Sequence, residues 1–174
     1  MRTFQAAIFT ISRVAAALSC VMLVGMVVHI LYEIVLRVFF SSSTYVLDEF
    51  VGYEVAACTF LALGYSLEHG SLIRVSLLVE RLSGRARRML DALCAIAALS
   101  ITSLLIKYYW LNVERSWMRN RVSSSIAEVP LWIPEAVVLI GMLVFWLQLF
   151  AFLVRQLTGE PSPVATSHDP RHEI

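Results

Sequence analysis

Residues 14–32 read VAAALSCVMLVGMVVHILY, nineteen consecutive positions without Asp, Glu, Lys or Arg. At 1.5 Å of rise per residue, a helix of that length is about 28 Å long, the thickness of a bilayer's hydrocarbon core. A second run, AVVLIGMLVFWLQLFAFLV at 136–154, repeats the signal near the other end. Between them lie Phe50 to Leu67, interrupted by Glu54, and Ala92 to Val113, interrupted by Lys107. The expected fold is all-α: an integral membrane four-helix protein with spans at about 14–38, 49–67, 91–113 and 132–154. Residues 1–160 then form a single membrane domain, and 161–174 a polar, disordered tail.

Composition agrees, with 59% of residues hydrophobic, 16% charged and a mean hydropathy of +0.74. A chain of 174 residues cannot hide so much apolar surface in a water-soluble core. A formal net charge of +1 gives no electrostatic reason to expect nucleic acid as a partner. Cys20, Cys58 and Cys94 are odd in number and scattered through the expected spans, where they read as small packing residues without disulfide, metal or catalytic role. Arg2 and Arg13 ahead of an apolar run resemble a secretory signal, and Ala17-Leu18-Ser19-Cys20 loosely resembles a lipoprotein cleavage site. The apolar run continues twelve residues past Cys20, however, so an uncleaved first span is the expectation.

Orientation follows from the basic residues. With four spans both termini share a side, which carries Arg2, Arg13, Arg74, Arg81, Arg85, Arg87, Arg88, Arg155 and Arg171, against Arg115, Arg119 and Arg121 on the other. That bias of nine against three places both termini and the 68–91 loop in the cytoplasm. The aromatic residues Phe39, Phe40, Tyr45, Phe50, Tyr53, Tyr108, Tyr109, Trp110, Trp117 and Trp132 then crowd the outer interface. Within the central loop, Leu72, Val75, Leu78, Val79 and Leu82 fall on one helical arc with Arg74 and Arg81 away from it. This predicts a short amphipathic helix over about 71–83 lying in the membrane surface, with Arg74, Arg81, Arg85, Arg87 and Arg88 on anionic lipid headgroups. The plainer alternative is an extended end of a span.

Charges inside the spans carry the most information, because an ionisable group at hydrocarbon depth costs at least about 2.5 kcal/mol on insertion scales. His29, Glu33 and Arg37 are spaced by four along one face of the first helix, so Glu33 can pair with Arg37. Glu54 and Lys107 lie within two turns of the same outer side, and an interhelical network of Glu33, Arg37, Glu54 and Lys107 is geometrically possible. It reads either as structural glue within the bundle or to a partner subunit, or as a proton or ion relay through Glu33 and Glu54. Gln148 reads as a helix contact. A haem between His29 and His69 is disfavoured because they fall at opposite ends, and no cofactor is expected. Ser123 to Ser125 have no neighbouring base in sequence and read as a solvated loop, and no catalytic glycine loop, GxSxG or HExxH motif is present. The chain reads as a non-enzyme.

From Glu33 to Gln148 the chain resembles the small membrane subunit of tripartite ATP-independent periplasmic (TRAP) transporters. The resemblance rests on Arg37-Val38-Phe39-Phe40 closing the first span, Asp48-Glu49 opening the second, and Tyr53 and Leu63-Gly64 within it. Next come His69-Gly70 and Ile73-Arg74-Val75-Ser76, then Pro130-Leu131-Trp132-Ile133-Pro134 before the last span. Ser76 stands where the family usually has Asp, and Val38 where Tyr is usual. The resemblance implies a non-catalytic subunit scaffolding a large membrane subunit that holds the substrate and sodium sites. A periplasmic substrate-binding protein would dock on the Arg115 to Glu128 loop, and the solute would be an organic acid. Two rivals remain from the residues alone: a self-sufficient small multidrug/proton antiporter, and a membrane anchor of a redox complex.

Overall fold

A computed structural model of the chain describes residues 2–69 and 84–158 as four helices: α1 (Arg2–Phe40), α2 (Leu47–Glu68), α3 (Gly84–Met118) and α4 (Trp132–Thr158). All four are long and apolar enough to cross a membrane, making this an all-α, multi-pass membrane protein. The expected surface helix over 71–83, with Gly70, Arg74 and Arg81, and the tail lie outside the described residues. Arg85, Arg87 and Arg88 fall in the opening turns of α3.

Residue pairing sets the directions. Ser12 of α1 lies beside Gly64 of α2, Ser19 bonds Cys58, and His29 meets Phe50, so α1 and α2 are antiparallel. On α4, Gly141 lies against Phe60 and Leu61, Val144 against Gly64, and Gln148 against Glu68, so α2 and α4 run the same way. Asn112 and Ser103 of α3 meet Glu135 and Trp146 of α4 in antiparallel order. The helices α1, α2 and α4 pack on one another, and α3 is laid against the outside of α4. One end of the bundle carries the connections 41–46 and 119–131 (the loop end), and the other carries His69, Gly84 and the helix ends at Arg2 and Thr158 (the terminal end).

Small residues bring the helices together, as expected where lipid removes the hydrophobic drive and leaves packing and hydrogen bonds to do the work. On α1 the stripe Ile8, Ser12, Ala15 and Ser19 is buried at helical spacing, whereas Val14, Leu18 and Val21 on the other side are exposed. Ser19 Oγ donates to the Cys58 carbonyl at 2.9 Å, and Cys58 Sγ donates back to the Ser19 carbonyl at 3.3 Å. A Cβ on Gly141 would lie 2.8 Å from the Phe60 carbonyl carbon, so hydrogen there is what lets α4 approach the α2 backbone. Ala15, Leu61 and Val144, with Met22 and Val137 against them, fill the middle of the bundle. Leu67, Ala95, Leu149 and Phe152 form a second cluster toward the terminal end.

Candidate functional sites at the two ends of the bundle

At the loop end, Glu33 is 1% exposed, although it sits in a membrane-crossing helix. Its carboxylate accepts from Arg37 Nε at 2.9 Å, from Thr44 Oγ at 2.7 Å, from the Thr44 amide at 3.1 Å and from Ser43 Oγ. One side chain thus ties the end of α1 to the chain that turns back into α2. Ser41 and Tyr45 bracket the clasp with φ of 48° and 59°, a left-handed conformation costing a non-glycine residue about 1 kcal/mol. The charge-assisted bonds to Glu33 offset that cost.

A second clasp joins α2 to the connection after α3. Asp48 and Glu49 open α2, where the unsatisfied amides favour negative charge. Asp48 is exposed, whereas Glu49 accepts from Tyr53 OH one turn on and from Ser123 Oγ at 2.9 Å. The connection is braced further by Ser123 N donating to Val129 O, Leu131 N donating to Arg121 O, and a backbone bridge between Val122 and Pro130. Pro134 sits in the first turn of α4, where a missing N–H costs nothing, and Trp132 packs edge-on to Trp117 at 4.6 Å. Asn112 Nδ2 donates to Glu135 at 2.8 Å across α3 and α4.

The strongest polar cluster is at the terminal end. Arg155 meets the Glu68 carboxylate with two nitrogens, Nη1 at 2.6 Å and Nη2 at 3.2 Å, and Gln148 Nε2 donates to Glu68 Oε2 at 2.6 Å. Glu68, Gln148 and Arg155 are all buried, and the Arg155 guanidinium lies 5.7 Å from the Phe152 ring. This bidentate pair fastens the last residue of α2 to α4. From the sequence alone Arg155 reads only as a positive charge and Gln148 only as a helix contact. The signal for both was their spacing of seven on one face, at the depth where α2 ends in Glu68.

Of the four charges grouped from sequence, the fold brings Glu33 and Arg37 together. Glu54 is half-buried in α2 with Oε2 lacking a partner, and Lys107 is exposed on α3. Among the described residues no hydrogen bond or ion pair joins them. Gly64 lies at the junction of three helices, 2.5 Å from Ser12 Oγ and 3.4 Å from Val144 at its would-be Cβ. His29 packs on Phe50 near the loop end, and His69 on Tyr65 at the terminal end.

These arrangements fasten helices to one another and to loops, leaving the broad apolar sides of α1 and α3 turned outward. No curated protein and no solved structure matches the chain. The family described as "Tripartite ATP-independent periplasmic transporters, DctQ component" matches residues 26–159, a region containing α2, α3, α4 and the clasped end of α1. The chain therefore belongs to the DctQ family, the small membrane component of TRAP transporters.

Proposed function

We propose that the chain is the non-catalytic small membrane subunit of a sodium-driven, binding-protein-dependent organic acid transporter, and that it scaffolds the large membrane subunit. The observation that carries this reading is the division of its polar groups. The hydrogen-bonded carboxylates are placed at the two ends and bound within the chain, while Ala15, Leu61 and Val144 pack the middle, where a secondary transporter would hold its substrate. Meanwhile the long helices α1 and α3 expose apolar residues such as Val21, Val28, Leu93 and Leu104 to whatever lies beside them. In this reading the chain sits in the bacterial inner membrane with both termini cytoplasmic. The large subunit covers part of those sides, and the periplasmic protein docks on Arg115 to Glu128, which is the last turn of α3 and the braced connection after it.

The test is reconstitution of this chain alone, the large subunit alone, and both together with the periplasmic binding protein, following uptake under a sodium gradient. Only the complete set is expected to accumulate substrate. Uptake or drug efflux by this chain alone would overturn the scaffold reading in favour of the antiporter.

A further inference from the structure

The turn between α1 and α2 presents a cationic concavity that helix packing does not use. It is open, about 540 Å³ in volume, and lined by Arg37, Ser41, Ser42, Ser43 and Tyr45. Arg37 supplies its one charged side chain, which is 57% exposed. Glu33, buried behind it, takes the Arg37 Nε–H at 2.9 Å and so fixes the plane of the guanidinium. Nη2 makes only a long contact with Ser43 Oγ at 3.4 Å, leaving most of the five-donor fork directed outward. Ser41 and Ser42 are exposed, and their hydroxyls make no hydrogen bond among the described residues.

Of the neighbouring apolar residues Tyr45 lines the concavity, and exposed apolar side chains close α1 just before it. Val38, Phe39 and Phe40 are 69%, 76% and 68% exposed, and Tyr45 is 76% exposed. They lie where a membrane-crossing helix ends, the level at which aromatic rings meet headgroups. An arginine snorkelling to an interface needs none of this. A guanidinium oriented by a buried carboxylate, with two unused hydroxyls beside it and an apolar rim, matches a phosphodiester carried on acyl chains. The two non-bridging oxygens fit the fork, and the rim would stay wet under a free anion.

We propose that Arg37, Ser41 and Ser42 bind the phosphodiester of a phospholipid headgroup, with Val38, Phe39 and Phe40 against its glycerol and upper acyl chains. The inference does not depend on the transport role. It is tested on the full chain in detergent micelles by native mass spectrometry, titrating 1-palmitoyl-2-oleoyl phosphatidylglycerol, with the matching diacylglycerol as the phosphate-free control. Arg37→Gln should weaken phosphatidylglycerol retention about fivefold, the effect of one interfacial basic residue. Because that change also touches Glu33, a Ser41→Ala/Ser42→Ala variant is decisive, since it removes groups that hold nothing in the fold. It should weaken retention at least about twofold with an unchanged thermal melt. Undiminished retention in the serine variant, or equal retention of diacylglycerol, would overturn the proposal. So would displacement of the lipid by millimolar inorganic phosphate as effective as that by glycerophosphoglycerol, since the site would then be one for free anions.

Discussion

Replacing Glu68 by Leu removes the carboxylate that two Arg155 nitrogens meet, and replacing Arg155 by Met takes both of those charge-assisted bonds from Glu68. In protein interiors removing one member of such a pair costs about 3 to 5 kcal/mol, whereas replacing both by apolar groups is often neutral. The pair here lies at the end of α2, closer to water than the bundle middle, so the low end, about 3 kcal/mol for each single change, is expected. Independent effects would make the double variant about 6 kcal/mol less stable, but with the charges removed together it should lose no more than about 3. The measurement is a double-mutant cycle on reversible unfolding in mixed micelles, followed by far-ultraviolet circular dichroism. A coupling of about 3 kcal/mol is expected, well above the roughly 0.6 kcal/mol typical of hydrogen bonds between membrane helices. Losses that simply add, within about 0.5 kcal/mol, would refute the reasoning.

Other expectations follow from single contacts. Gly141→Ala forces a methyl to within 2.8 Å of the Phe60 backbone and should cost about 2 kcal/mol, while Gly52→Ala, in open space, should be neutral or mildly stabilising in the same unfolding assay. Glu33→Gln weakens the bonds from Arg37, Ser43 and Thr44 and should cost about 2 kcal/mol, with faster hydrogen exchange at the Thr44 amide as its local signature. Glu54→Gln and Lys107→Leu should act independently on the stability of the isolated chain, since no bond joins them; coupling above about 0.5 kcal/mol would place them in one network. In a cysteine-free background, single cysteines at the exposed Ser42 and Ser124 should be labelled in intact cells by a membrane-impermeant reagent. Protection of both would reverse the orientation.

Span number, fold class and the Glu33–Arg37 pair were legible because each is encoded by short-range chemistry. A run of nineteen residues without charge has no other economical environment than lipid, and two residues four apart on a helix are neighbours whatever surrounds them. Three of the family motifs, Arg37 to Phe40, Asp48-Glu49 and Pro130 to Pro134, were legible for a similar reason, lying at helix ends where local geometry restricts residue choice. Their contacts were not. Nothing in the spacing of Glu49 and Ser123, seventy-four positions apart, shows that a loop hydroxyl closes on a helix start.

Sequence by itself determined that the chain enters the membrane four times and where its ionisable residues fall along each helix. Tertiary structure decided which of those residues meet. The choice depends on rotation about each helix axis and on which pairs of helices are neighbours, and a largely apolar exterior leaves both undetermined. Periodicity of hydrophobicity, the usual guide to a helix's inner face, is weak when both faces are apolar. The inner faces are set instead by small residues such as Ser12, Ala15, Gly64 and Gly141, which let backbones approach. With α2 and α4 drawn together and running the same way, Glu68, Gln148 and Arg155 converge, and with α3 placed outside α4, Lys107 is left facing outward.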